Sequence, residues 1–247
     1  MDDMLYHDAD LAQFYDWDCP WTADHDWFCG LAAGAASVLD LGCGTGLGTA
    51  ALAARGAQVV GVDPAGPMLA IARAREGGER VTWLQADARG LDLGRRFDAV
   101  LMTGHAFQTL LSAADRAAVL ATIARHLAPG GRFFFDSRNP EAREWEDWTP
   151  EATRERREHP RFGMVERWNA AEVDSVTGVV TYETQYRLGD GRRYCATSRI
   201  AFPGFEELSG AIAAAGLAVE RWYGDAGGGL VREGCPDFIP VGGVVVG

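Results

Sequence analysis

Between residues 36 and 138 apolar residues come in short runs that alternate with stretches of helical pattern. The runs Ser37 to Leu41, Gln58 to Val62, Val81 to Gln85, Phe97 to Met102 and Arg132 to Phe135 predict strands. Gly46 to Arg55, Gly66 to Glu76 and Ala113 to Leu127 predict helices, the last with Leu120, Ile123, Ala124 and Leu127 on one face. Ser112 with Asp115 resembles a capping box at its start, and Pro129-Gly130-Gly131 ends it. Strands without a polar face are buried on both sides, so the pattern predicts a parallel sheet covered by helices, which binds ligands at the carboxyl ends of its strands. A site is therefore expected near residues 42–46, 63, 87, 103–108 and 136–139.

From about residue 162 to 202 the period changes to two. Val180, Tyr182, Thr184, Tyr186 and Leu188 alternate against Thr181, Glu183, Gln185 and Arg187, and Asp190-Gly191 turns the chain into a second strand, Arg193 to Phe202. With Met164 to Asn169 this makes about three added antiparallel strands. The parallel pattern is then expected to resume, with a helix near Phe205 to Ala215 and strands at Leu217 to Tyr223 and within Phe238 to Val246. Gly227-Gly228-Gly229 reads as a loop within a single domain.

A formal net charge of -12 would repel a phosphate backbone, which argues against nucleic acid as partner. The basic run Arg154, Arg156 and Arg157 is interleaved with Glu151, Glu155 and Glu158 and reads as a solvated helix face. The acidic N-terminal stretch is unlike a signal peptide and no segment is apolar enough to span a membrane, so a cytoplasmic protein is expected. The five cysteines are scattered without metal-ligand spacing and read as reduced thiols, with no metal site.

In Val38-Leu39-Asp40-Leu41-Gly42-Cys43-Gly44-Thr45-Gly46 a strand runs into glycines that permit a tight turn and close backbone approach to a ligand. The spacing is G-x-G-x-G, and the dinucleotide fingerprint G-x-G-x-x-G fails in both frames because Leu47 and Thr49 stand where glycine is needed. Asp63, 21 positions after Gly42, ends the second strand and can accept from both ribose hydroxyls of a nucleoside, while Asp87 follows the third strand, where it can receive the adenine amine. Three acids after three successive strands suit a cationic adenosine ligand. Each acid also has a plainer reading, as a turn-forming Asp at residue 40 and as helix caps or surface acids at 63 and 87.

With Phe97-Asp98-Ala99-Val100 and Leu127-Ala128-Pro129-Gly130-Gly131, this ordered set resembles the class I S-adenosylmethionine-dependent methyltransferases, small-molecule branch, over residues 38 to 138. The resemblance implies a Rossmann-like α/β fold, a mostly parallel seven-stranded sheet with helices on both faces plus an antiparallel β-hairpin lid. It implies an N-terminal helical lid (1–35), a cofactor-binding core (36–160), the β insertion (161–202) and a C-terminal completion of the sheet (203–247). It further implies that Asp40 and the backbone of Gly42, Cys43, Gly44 and Gly46 hold the aminoacyl part of S-adenosylmethionine. Asp63 with Pro64 would then hold the ribose and Asp87 with Ala88 the adenine, with Met68 packing near the adenine and Thr103 near the methionine portion. Met68 is equally well read as core, and the Cys43 side chain as a small loop residue without a neighbouring base.

Methyl transfer from a sulfonium asks mainly for in-line alignment and exclusion of water, releasing S-adenosylhomocysteine. In Thr103-Gly104-His105-Ala106-Phe107-Gln108, His105 is placed to act as a base or substrate contact, or simply to order its loop. Arg138 either pairs an acceptor carboxylate or sits on the surface. The family's nucleic-acid amino-methylating members carry an (N/D)PP(Y/F) motif where this chain has Met102-Thr103-Gly104-His105, which with the acidic charge favours a small-molecule acceptor. Tyr15 would close the methionine end, or pack the first helix onto the core. Trp168, Tyr182, Tyr186 and Tyr194 would line an acceptor pocket, or form a dimer surface; monomer and homodimer both stay open. The alternatives to an N-, O- or C-methyltransferase are a non-methylating enzyme on the same fold, such as a cyclase, a cofactor-binding regulator, and an NAD-dependent oxidoreductase.

Overall fold

The computed structural model describes residues 4–245, so Val246, expected inside the last strand, lies outside the described residues. Helices α1 (Met4–His7), α2 (Tyr15–Asp18) and α3 (Ala23–Leu31) come first. The core follows as β1 (Ser37–Leu41), α4 (Leu47–Ala54), β2 (Gln58–Asp63), α5 (Gly66–Ala74), β3 (Val81–Gln85), β4 (Phe97–Met102), α6 (Ala113–His126) and β5 (Leu127–Phe135). Then come β6 (Ser137–Arg138), α7 (Pro150–Thr153), the antiparallel strands β7 (Glu155–His159), β8 (Gly163–Val173), β9 (Val180–Leu188) and β10 (Arg193–Ile200), and finally α8 (Phe205–Ala214), β11 (Leu217–Tyr223) and β12 (Asp237–Val244).

The large sheet runs β11-β12-β5-β4-β1-β2-β3, with the short β6 beside β12. Strands β3, β2, β1, β4 and β5 pair in parallel. The expected return of a parallel pattern fails at the last strand, because β12 pairs antiparallel with both β5 and β11. Neighbouring residues on one strand bury against opposite layers. Leu39, Val60, Val100 and Phe133 join a core with Val119, Leu120 and Ile123 of α6 and Leu208 and Ile212 of α8. Val38, Val59, Ala99 and Phe134 join another with Cys29 of α3 and Leu52 of α4. This two-sided burial is why the strands read as continuous apolar runs.

The order reverses between β1 and β4, whose carboxyl ends diverge and open the crevice in which such sheets hold ligands. Over it lies a four-stranded antiparallel sheet, β10-β9-β8-β7. Three of its strands follow the period-two pattern, but β7 corrects the reading of Arg154 to Glu158 as a helix face. Glu155, Arg157 and His159 alternate with Arg156 and Glu158 across a strand paired to β8. Its charges pair across the sheet, Arg167 with Glu155 at 2.8 Å and Arg154 with Glu166 at 3.3 Å. Phe14, fully buried, fastens the N-terminal segment to this sheet by stacking on Tyr186 with ring centroids 4.2 Å apart and on Phe162 at 5.0 Å. Among the described residues no helix is long and apolar enough to cross a membrane.

Candidate active site

The glycine loop leaves β1 and hooks onto β2, Gly42 and Cys43 both donating their N–H groups to the Val62 carbonyl at 2.8 and 3.1 Å. Gly42 and Gly46 sit at φ 69° and 75°, where a side chain is strained. They also have no room for one: a Cβ on Gly46 would fall 2.4 Å from the Trp83 ring, and on Gly42 2.9 Å from Ala106 Cβ. Asp63, at the end of β2, accepts the Gly44 N–H on one oxygen and the Ala65 N–H on the other, each at 2.8 Å. Burial pushes its carboxyl up, opposed by these two backbone bonds. The carboxylate thus shapes the loop as well as facing the crevice, and each oxygen retains a second acceptor direction. Asp40, on the neighbouring strand, accepts the Thr49 hydroxyl at 2.6 Å, and burial pushes its carboxyl up to about 7, Thr49 lowering and Asp63 raising it.

Two cavities meet at this loop and share Tyr15, Gly42, Gly44, Thr103 and Gly104 on their walls. The smaller, 420 Å³, is lined by Asp63, Pro64, Met68, Asp87, Ala88 and Arg89. The larger, 660 Å³, extends from Asp40, Cys43 and Gly44 past His105 and Arg138 to the inner face of the antiparallel sheet at Arg167, Asn169 and Tyr182. Every residue that sequence reasoning named for the cofactor except Gly46 therefore lines one cavity or both; Gly46 instead caps α4 behind the loop.

Their local surroundings differ from expectation in three places. Asp87 caps the turn that follows it by accepting the Arg89 N–H at 2.9 Å, and the Arg89 guanidinium grips both its oxygens while reaching Asp115 at 2.8 Å, which holds the Asp87 carboxyl low. The plainer reading of this acid as a cap is thus present, and Arg89, missed in the sequence, shares the wall. Arg138 donates to Gln108 Oε1 at 2.9 Å, pairs with Glu144 at 2.7 Å and stands over the Trp148 ring at 5.4 Å, so its charge is already matched. Of the sheet aromatics, Tyr182 and Tyr186 face the larger cavity, whereas Tyr194 packs in the Phe14 cluster and Trp168 lies under Arg154 at 4.4 Å.

Met68 is buried and lies close to the loop, its Cε 3.5 Å from where a Cβ of Gly44 would stand. Burial pushes the Cys43 thiol well up, reinforced by Asp40 and Asp63, which keeps it protonated and unreactive. The Tyr15 phenol is likewise held protonated by burial. Its neighbour Asp16, unnoticed in the sequence, accepts the Thr45 hydroxyl at 2.5 Å and pairs with Arg75 at 2.5 Å, tying the N-terminal segment to the glycine loop.

His105 lines the larger cavity. Its backbone is left-handed at φ 59° and its N–H donates to Asp136 Oδ1 at 3.0 Å. Its ring Nε2 lies 3.0 Å from Asp237 Oδ1 and 3.6 Å from Asp136 Oδ2. Nothing in the local sequence marks Asp237, which enters from the start of β12.

Residues 38–131 match the methyltransferase-domain family. A cypemycin N-terminal methyltransferase of Streptomyces is 40% identical over 104 residues, 42% of this chain and 42% of its own. A ubiquinone biosynthesis O-methyltransferase of Idiomarina loihiensis is 33% identical over 139 residues, 51% of this chain and 54% of its own. The chain thus spans about half the length of the curated relatives it matches. Over nearly the whole chain the fold is that of a methyltransferase of Streptomyces caelestis (TM-score 0.79, 21% identity, 100% of both chains covered). An amino pentose methyltransferase of Micromonospora echinaspora, solved with S-adenosylmethionine bound, is 28% identical with TM-score 0.64, covering 93% of this chain and 91% of that one. Glycine loop, strand order and these likenesses agree: residues 38–131 match a methyltransferase domain, and the chain as a whole is similar in fold to S-adenosylmethionine-dependent methyltransferases.

Proposed function

We propose that the protein transfers a methyl group from S-adenosylmethionine to a nitrogen of a small polar acceptor, releasing S-adenosylhomocysteine. The observation that carries this reading is the pair of cavities joined at the glycine loop, the larger of which is lined by seven carboxylates (Asp16, Asp18, Asp24, Asp40, Asp136, Glu144, Asp147) against two arginines, Arg138 and Arg167. Both arginines are spoken for, Arg138 by Glu144 and Arg167 by Glu155 at 2.8 Å and Asp18 at 3.2 Å. With Asp16, Asp18 and Glu144 paired to arginines, the carboxylates without an arginine partner, Asp24, Asp40, Asp136 and Asp147, favour a cationic guest, and an acceptor amine enters at neutral pH as a cation.

The residues present fit the cofactor. Asp40 and Asp63, both pushed up by burial, favour a positively charged neighbour, and Gly42 and Gly44 line both cavities. In this reading Asp63 and Pro64 hold the ribose, Met68 and Ala88 flank the base, and Asp40, the loop backbone and Thr103 hold the aminoacyl end. When bound, S-adenosylmethionine supplies an electrophilic methyl group on a sulfonium. Tyr15 closes the junction of the cavities, and the Phe14 anchor keeps the segment in place so that water is excluded. Trp148 and Tyr182, their rings edge to face with centroids 5.5 Å apart, line the same cavity. His105 orients the acceptor and takes its proton.

The nitrogen assignment is supported by two relatives, named for N-terminal and amino pentose methylation, while the ubiquinone enzyme represents the oxygen alternative. Calorimetric titration tests the donor half: S-adenosylhomocysteine is expected to bind with micromolar affinity and NAD not to bind, and the reverse order would overturn it.

A further inference from the structure

His105 sits where three elements converge: the loop after β4, the end of β5 through Asp136 and the start of β12 through Asp237. Its left-handed backbone, φ 59° and ψ 19°, is costly for a residue with a Cβ and persists only where the surroundings impose it. Here Asp136 accepts its backbone N–H while the ring is directed at Asp237. Asp136 is buried, and burial raises its carboxyl against the pull of His105. The remaining charge on this wall is Arg138, matched by Glu144; Cys235 donates its thiol to the Asp237 carbonyl at 3.3 Å.

A carboxylate only accepts hydrogen bonds, so an imidazole nitrogen 3.0 Å from Asp237 carries hydrogen. In the neutral ring the lone pair is then on Nδ1, and among the described residues no protein group bonds to that nitrogen. Resting on the methyl-transfer reading, we propose that Asp237 is a positioning residue that fixes His105 in the Nε2–H tautomer, with Nδ1 as the proton acceptor for the substrate amine. The N–H bond of the ammonium breaks, its proton passes to Nδ1, and its electron pair stays on nitrogen as the nucleophilic lone pair. The imidazolium so formed lies between Asp237 and Asp136, and returns its proton to water after turnover. The acceptor class is any amine that enters protonated.

Histidine side-chain nitrogen NMR on the protein without ligands, with His105 assigned by His105→Gln, tests the tautomer without any acceptor. The expected spectrum shows protonated Nε2 and unprotonated Nδ1 at pH 8. In Asp237→Asn, which keeps the side-chain shape, both tautomers appear, while Asp237→Glu restores the wild-type pattern. With an amine substrate, Asp237→Asn is expected to lower kcat about 10- to 100-fold, with S-adenosylhomocysteine affinity within twofold of wild type. An Nδ1–H tautomer in the wild type, or an Asp237→Asn spectrum superimposable on it, would overturn the proposal. Loss of S-adenosylhomocysteine binding in the wild type would instead overturn the methyl-transfer reading, leaving the tautomer result standing.

Discussion

Asp63 accepts the Gly44 backbone N–H at 2.8 Å, so the acid proposed to hold the ribose also holds the glycine loop. Removing the side chain would leave the Gly44 and Ala65 N–H groups without their partner and free the loop at its midpoint. Asp63→Ala is expected to weaken S-adenosylhomocysteine binding by about 100-fold, roughly 3 kcal/mol, in calorimetry. Unchanged affinity would remove Asp63 from the cofactor site.

Asp40 gives the site a pH dependence. Its folded-state carboxyl is at about 7, against 3.8 as the ordinary value. Between these values the folded protein holds a proton that the unfolded chain lacks, so this group's contribution to stability falls as pH rises through that window and levels off above 7. A cation bound nearby favours the ionised form, so binding releases the proton. Affinity for S-adenosylhomocysteine, whose α-ammonium is that cation, should rise between pH 5.5 and 7.5 and flatten above. Asp40→Asn should show no such slope; a wild-type affinity independent of pH would contradict the assignment.

Phe14 fastens the N-terminal segment between Tyr186 and Phe162, and its truncation leaves a cavity beneath the antiparallel sheet. Phe14→Ala is expected to cost about 3 to 5 kcal/mol in urea unfolding. Because Tyr15 and Asp16 follow it directly, cofactor affinity should fall as well. A stability loss without any loss of affinity would show that the segment is structural only.

The parallel core was legible because burial on both faces leaves the runs at Val38 to Leu41 and Phe97 to Met102 apolar apart from one aspartate each, Asp40 and Asp98. Strand β7 was not, since alternating acids and bases read equally as a solvated helix until Glu155 and Glu166 meet arginines on neighbouring strands. The antiparallel course of β12 depends on its insertion between β5 and β11, which no local pattern encodes. The residues proposed for the cofactor sit on consecutive strand ends and so show as a spaced motif. The larger cavity does not: Asp237 is 132 residues from His105, and Asp16 and Asp18 of α2 and Glu144 between β6 and α7 are brought together only by folding.

The most direct test is transfer of a labelled methyl group from S-adenosylmethionine to matched small polar compounds that differ only in carrying an amine or a hydroxyl. The account predicts label on nitrogen in the amine of a pair, with the alcohol at background and turnover failing as the amine is acylated. Label on oxygen, or turnover of the cofactor with no methylated product, would contradict it.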